Sequence, residues 1–290
     1  MSARIKTVEL FLALGFATAV GTQMPVTAHE DEAIDEATAD YLLLAQGAEG
    51  GEGAEGGEGG EGGEGGEGGE GGEGGEGAVS TGDPNVDYMS VLGLMKGHLI
   101  AAEELIALEN YEQAEPHIEH PVEELYGEIE PTLAEKGVED FRPTLNQLQD
   151  VVKTAPESPE LQTLFDESVT SIDNAIAAIP EEQRNSPEFV IDVMVEMLKN
   201  AAAEYEAAIA NGQFVEVVEY QDSRGFVLYA EDLYQTVAEQ KSQEDPEAHQ
   251  TITQSLEELK TAWPSIEPPA TPVKEPSEVY GLVSQIEFSK

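Results

Sequence analysis

Apolar side chains after residue 83 recur at intervals of three and four residues, which is the spacing of amphipathic helices. An Asp or Ser stands directly before a Pro at Asp83, Ser158, Ser186 and Asp245, so a capping side chain precedes a proline suited to the first helical turn. Runs of alternating β-branched residues are too short for a strand. The pattern predicts an all-α domain with a Pro-rich strap at 264–276 and with helices near 84–109, 111–136 (broken or kinked at Pro121 and Pro131), 139–154, 159–179, 187–211, 213–240, 246–262 and 276–287.

Similar residues recur in this domain at an offset of 103 positions. Asn110-Tyr111 corresponds to Gln213-Phe214, and Leu125-Tyr126 corresponds to Leu228-Tyr229. Self-similarity at a fixed offset indicates a repeated structural unit, and the short connections suit neighbouring antiparallel helices. We therefore predict a duplicated antiparallel helical bundle, with helical unit 1 at 83–182 and helical unit 2, including the strap and the C-terminal helix, at 183–290.

The N-terminus has the three parts of a secretory signal. Arg4 and Lys6 precede an apolar run, and small residues at Val26-Thr27-Ala28 suit a signal peptidase. The apolar run is shorter than the ~20 residues of a membrane span, although an uncleaved anchor is the alternative. We predict a signal peptide at 1–28, a periplasmic or secreted location and no direct membrane insertion after cleavage.

A stretch made almost only of Gly and Glu follows an acidic N-terminal segment at 29–46. From Glu49 to Glu76, Glu occupies every third position. Such a stretch has no side chain large enough to offset its ordering entropy, and Gly-rich chains are flexible coils. We predict a disordered Gly/Glu tether at 47–82, whose carboxylates could also hold divalent cations loosely.

Composition excludes several classes of function. The formal net charge is −47, which argues against binding nucleic acid or anionic lipid. There is no cysteine, so disulfides, thiolate metal sites and a lipoprotein anchor are excluded. The sequence has no Gly-x-Ser-x-Gly elbow, no phosphate-binding Gly-Lys-Ser/Thr loop and no His-Glu-x-x-His. We therefore expect a protein that is not an enzyme.

Three of the five histidines lie on the first predicted helix pair. His117 and His120 are three apart and share one side of a helix, with Glu124 four residues further on. His98 lies on the preceding helix, where a 1.5 Å rise per residue puts it roughly 7–8 Å from His117 in axial height. Imidazole and carboxylate together suit iron, copper or zinc. We predict a metal site formed by His98, His117, His120 and Glu124 and confined to unit 1.

Two alternatives to this site remain open. The histidines could be structural, with His98 at the core edge and His117 and His120 at the break before Pro121. His29, the first residue after a cleavage at Ala28, could bind copper weakly through its imidazole and the terminal amine.

A second polar stretch lies in unit 2, at 219–226. Asp222 and Arg224 are two apart and cannot pair on one helix face, so we expect them to reach neighbouring helices. Gly225 costs ~1 kcal/mol relative to Ala in a helix interior, and we interpret it as permitting a close helix approach. This stretch is either a structural polar network or a ligand site.

The residues from 101 to 133 resemble a known family. Tyr111 near a helix start, Glu123-Glu124-Leu125-Tyr126 and Ile129-Glu130-Pro131 are similar to exported helical regions associated with bacterial high-affinity iron permeases. The likeness spans roughly 94–150, with a fainter echo at 197–240, and it transfers no metal ligand. It implies a role beside a membrane transporter or envelope protein.

We therefore expect an exported protein that binds a transition-metal cation, iron or copper, or that assists its uptake. The alternative is a non-catalytic helical scaffold that docks an envelope partner.

Overall fold

The computed structural model describes residues 80–290. The predicted signal peptide, the acidic segment at 29–46, His29 and all but the last residues of the predicted tether lie outside the described residues. The described part is mostly helical, which confirms the all-α prediction. Its elements are α1 (Pro84–Ala107), α2 (Tyr111–His120), a π turn (Pro121–Leu125), α3 (Tyr126–Lys136), α4 (Arg142–Thr154), α5 (Glu160–Ala177), α6 (Glu181–Arg184), α7 (Pro187–Ala207), β1 (Ile209–Ala210), β2 (Gln213–Phe214), α8 (Val217–Glu244), α9 (Pro246–Lys260) and α10 (Pro276–Glu287).

The predicted capping residues all bind the backbone at helix starts. Asp83, Ser186 and Asp245 accept hydrogen bonds from backbone N–H groups in the first turns of α1, α7 and α9. Ser158 Oγ accepts one from the Glu160 N–H at 3.2 Å, just before α5. These bonds satisfy donors that a helix leaves unpaired, so the helix starts follow directly from local sequence.

Helices α1, α7 and α8 form the centre of the domain. Helix α8 packs most extensively on α7 and next on α1, while α2 packs on α1 and on α4. Between residues 88 and 95 of α1, every side chain is buried. A helix that is buried all round has neighbours on every side, so α1 is a core helix and not a surface helix.

The chain between α7 and α8 differs from the prediction. A helix was expected from residue 213, but β1 and β2 form a two-residue antiparallel hairpin and α8 begins at Val217. Asn211 and Gly212 have φ values of 53° and 72° at its tip. Positive φ at both central residues is the signature of a type I′ turn, which Asn-Gly favours. The prediction was wrong because the Asn-Gly signal outweighed the helical pattern around it.

The helix predicted at 111–136 is interrupted, as expected, at Pro121. The π turn replaces one helical turn there, because Pro121 has no backbone N–H and its ring excludes the usual hydrogen bond. Helix α3 then continues through Pro131 without a break and ends at Gly137, which has φ 70°. The predicted helix at 139–154 begins only at Arg142.

The predicted duplication remains a prediction. Helices α1 and α8 pack on each other, although the predicted boundary between units 1 and 2, at residues 182 and 183, separates them along the chain. Glu109, 103 positions before Gly212, also has a positive φ, of 57°, but the connection between α1 and α2 has no counterpart of the β1–β2 hairpin. None of the helices in the described part is long and apolar enough to cross a membrane.

Candidate metal centre

Two glycines bring α1 and α8 into close contact. A Cβ atom at Gly225 would lie 2.8 Å from the carbonyl carbon of Gly97 and closer still to its oxygen. A Cβ at Gly97 would lie 2.9 Å from the backbone nitrogen of Phe226. Only glycine fits at such a crossing. The interpretation of Gly225 from sequence is confirmed, and the crossing places His98 of α1 beside Asp222 of α8.

Asp222 is the centre of a buried cluster that contains all three predicted histidines. Its Oδ1 lies 2.5 Å from His98 Nδ1 and 2.6 Å from His117 Nδ1. Its Oδ2 lies 3.3 Å from His120 Nδ1. Asp222, His98 and His117 have no exposed surface. Three helices, α1, α2 and α8, therefore converge on one carboxylate.

A pair of glutamines holds the second nitrogen of His117. His117 Nε2 lies 2.9 Å from Gln221 Oε1, and the Gln221 amide donates to Gln113 Oε1 at 2.9 Å. Because an amide oxygen only accepts, this arrangement places a proton on His117 Nε2 and directs Nδ1 towards Asp222. Histidines that bind metals commonly donate their second ring N–H in this way.

Electrostatics keep Asp222 ionised. Burial by itself would raise its pKa, because the charged form loses hydration. The charges of His98 and His117, together with the hydrogen bond from His117, outweigh burial and hold the pKa of Asp222 well below its ordinary value of 3.8. The cluster is thus a charged carboxylate within a shell of imidazoles.

His120 and Glu124 lie at the edge of the cluster. The side chains of His120 and Glu124 are 17% and 22% exposed, and His120 Nε2 lies 4.0 Å from Glu124 Oε1. The His120 ring stands edge-on to the His98 ring, with centroids 5.2 Å apart. Both residues therefore lie between Asp222 and the solvent.

The donor set suits a first-row transition metal. One nitrogen each of His98 and His117 and one oxygen of Asp222 lie within 4.8 Å of one another. Two imidazoles with one carboxylate are typical ligands of Fe(II) and also suit copper and zinc. Bonds of roughly 2.0–2.2 Å hold two donors roughly 3 Å apart. The two short hydrogen bonds to Asp222 would therefore have to open slightly around an ion.

The cluster differs from the predicted site in two respects. It is not confined to unit 1, because Asp222 belongs to α8. The difference in axial height between His98 and His117 does not separate them, because both side chains reach the same oxygen of Asp222 from different helices. Glu124 lies outside the cluster of three donors, at its solvent side.

Asp222 and the two glutamines beside His117 were not part of the predicted metal site, although the stretch at 219–226 was interpreted as either a polar network or a ligand site. The signal was the run of polar residues around Gly225, since residues 220–223 of α8 are all buried. Buried polar residues are hydrogen-bonded or functional, so such a run indicates a site once the packing shows that α8 lies at the centre of the domain. Arg224 does reach a neighbouring helix, as expected, and donates to Glu104 Oε1 at 2.6 Å.

A comparison with known protein families finds a match in the second half of the domain. Residues 180–289 match the family model of the iron permease-associated 4-helix bundle domain. No curated protein and no solved structure matches the chain. The match covers α6 to α10, where the sequence showed the fainter likeness, and it includes Asp222 but neither His98 nor His117. The resemblance to helical regions associated with iron permeases is thereby confirmed, over residues 180–289 of this chain.

Proposed function

We propose that this protein is an exported, non-enzymatic carrier or uptake accessory for a transition-metal cation, iron first and copper second. The observation that supports the proposal is the convergence of His98, His117 and Asp222, from three helices, within 4.8 Å of one another. Iron is placed first because residues 180–289 are similar to a domain associated with iron permeases and because the donor set suits Fe(II). A membrane transporter of that class would be the partner that receives the cation.

The chain's own residues account for binding and for selectivity against abundant ions. Two imidazole nitrogens disfavour Mg²⁺ and Ca²⁺, which prefer oxygen ligands throughout. Asp222 supplies a negative charge, and its contacts with the histidines already offset the desolvation cost of that charge in the folded protein. Gln221 and Gln113 hold the His117 ring so that Nδ1, and not Nε2, faces the centre.

Binding requires that the hydrogen atoms on the two Nδ1 atoms leave. Both atoms lie within hydrogen-bond distance of Asp222 Oδ1, and a nitrogen must be deprotonated to bind a metal. Calorimetric titration in buffers of different ionisation enthalpy should therefore show proton release on binding. The release separates this centre from a loose carboxylate site, which binds with little proton exchange.

The test is metal titration of the full chain with Fe²⁺ under anaerobic conditions, and with Cu²⁺ and Zn²⁺. The variants His98→Gln and His117→Gln should each lose most of the high-affinity binding while a weak background from carboxylates persists. His249→Ala is the matched control, because His249 hydrogen-bonds Tyr234 on α8 and lies outside the centre. Folding of each variant is checked by circular dichroism. Unchanged affinity in both folded glutamine variants would exclude the centre.

A second candidate function is that of a helical scaffold for an envelope partner. It is favoured by the short contacts of 2.5 and 2.6 Å, since these complete the Asp222 network without an ion. In that case the glutamine variants would lower the unfolding temperature without changing metal binding. The same set of variants therefore distinguishes the two functions.

A further inference from the structure

A cation that binds the proposed centre has to cross a closed protein surface. The three donor residues are fully buried, at 0% exposure each. The glycine crossing of α1 and α8 leaves no space on that side, because even one added carbon would collide with backbone atoms. The centre must therefore be reached through a side chain that contacts it and that also has an exposed edge.

His120 and Glu124 together meet that requirement. His120 Nδ1 lies 3.3 Å from the second oxygen of Asp222, and His120 Nε2, the other nitrogen of the same ring, lies 4.0 Å from Glu124 Oε1. Both side chains keep partial exposure, at 17% and 22%. One imidazole thus links the buried carboxylate to a carboxylate at the surface.

We propose that Glu124 and His120 form the entry route of the metal centre, along which a cation is taken from solvent and transferred to Asp222. This inference rests on the proposed function and assigns these two residues to the rate of exchange, not to final binding. A divalent ion exchanges its water ligands stepwise. It first binds Glu124, then His120, and then Asp222 with the two buried histidines.

The distances permit such a transfer. Metal–ligand bonds of roughly 2.0–2.2 Å hold two donors roughly 3 Å apart. The 3.3 Å between His120 Nδ1 and Asp222 Oδ2 is close to that separation, and the 4.0 Å between His120 Nε2 and Glu124 Oε1 exceeds it by a shift that the partly exposed side chains can make. An ion at the outer position must exchange His120 Nε2 for Nδ1 of the same ring before Asp222 binds it.

The backbone around these residues suits local movement. His120 ends α2, and Glu124 lies within the π turn that Pro121 begins. Such turns carry one extra residue per turn and frequently occur at functional sites. His120 already lies within reach of both neighbours, 3.3 Å from Asp222 and 4.0 Å from Glu124, so a small shift of this turn is enough for it to contact an ion on either side.

The experiment measures exchange rates in the full chain. Rapid mixing with Cu²⁺ is followed by quenching of Trp263, the single tryptophan, whose N–H donates to Ser223 next to Asp222. Dissociation is followed after mixing with excess EDTA, and the equilibrium constant comes from calorimetry. The variant is Glu124→Gln, and Glu123→Gln is its matched control, since Glu123 is exposed on the same π turn and carries the same charge.

We expect Glu124→Gln to slow association and dissociation by the same factor, on the order of tenfold, because a ligand lost at the barrier raises that barrier in both directions. The dissociation constant then stays unchanged within about twofold, since both rates change alike. Glu123→Gln should leave both rates unchanged.

Three results would overturn the entry route. Faster dissociation alone in Glu124→Gln would make Glu124 a ligand of the bound ion. Equal slowing by Glu123→Gln would indicate only general attraction by charge. Unchanged rates in Glu124→Gln would exclude Glu124 from the path. Each of these results leaves the proposed function intact. If the parent protein binds no metal in calorimetry, the proposed function and the entry route fail together.

Discussion

The crossing of α1 and α8 makes Gly225→Ala a demanding test of how the centre is assembled. A Cβ at residue 225 would lie 2.8 Å from the carbonyl carbon of Gly97, whereas an ordinary contact begins near 3.4 Å. The two backbones must therefore move apart by at least 0.6 Å, and by more to clear the carbonyl oxygen. No side-chain rotation can relieve this contact, because both partners are backbone atoms.

The expected loss of stability combines two opposing effects. Overpacking of a core typically costs about 1–3 kcal/mol, and the rigid partners here place this variant at the upper end. The higher helix propensity of alanine offsets about 1 kcal/mol of that cost. A net loss of about 2 kcal/mol corresponds to a fall of roughly 4–8 °C in the unfolding temperature of a domain of this size. Separation of the helices should also lengthen the contact between His98 and Asp222 and weaken metal binding.

The assay is thermal unfolding followed by circular dichroism, with a metal titration on the same samples. Gly281→Ala is the control, because Gly281 lies inside α10 and an added Cβ there meets no atom within 4 Å. That variant should be neutral or gain up to about 1 kcal/mol, with metal binding unchanged. A Gly225→Ala protein that melts at or above the parent temperature would refute the tight crossing and the assembly of the centre derived from it.

Two further predictions concern the polar network. Asp222→Asn should lower the free energy of unfolding by about 3 kcal/mol near neutral pH, because it breaks a buried charged pair. Since the folded state lowers the pKa of Asp222, the stabilising effect of this carboxylate is complete above about pH 5 and is lost as the pH falls below the ordinary value of 3.8. Chemical unfolding should therefore show the stabilities of parent and variant converging in acid. A constant difference down to pH 2 would contradict this. Gln221→Leu should cost about 1–3 kcal/mol in denaturant unfolding, because it leaves His117 Nε2 without its acceptor in a buried site. Gln113→Leu, which removes only the outer bond of the pair, should cost less, and equal losses would argue against a role of Gln221 in holding His117.

Local sequence determined most of the secondary structure of the described domain. Capping bonds and first-turn prolines depend on residues one to three positions apart, so the starts of α1, α7 and α9 could be predicted within a residue. The break at Pro121 could be predicted for the same reason, since a missing N–H acts locally. The Asn211-Gly212 turn was equally local and could have been predicted, but the surrounding helical pattern was given more weight.

The candidate site was determined only in part by sequence. Residue type and spacing indicated His98, His117 and His120, because imidazoles clustered on one helix pair are uncommon in a chain with five histidines. Glu124 was selected by its spacing from His120, and the structure places it at the rim of the cluster instead of inside it.

The centre of the site depended on tertiary structure. Asp222 is more than one hundred residues from His98 and His117 along the chain, and spacing carries no information about such a pair. What joins them is the approach of α1 and α8 at Gly97 and Gly225, and glycine alone does not reveal which helix it will contact. The sequence therefore determined which helices form and which side chains can bind a metal, whereas the packing of those helices decided which carboxylate the histidines share.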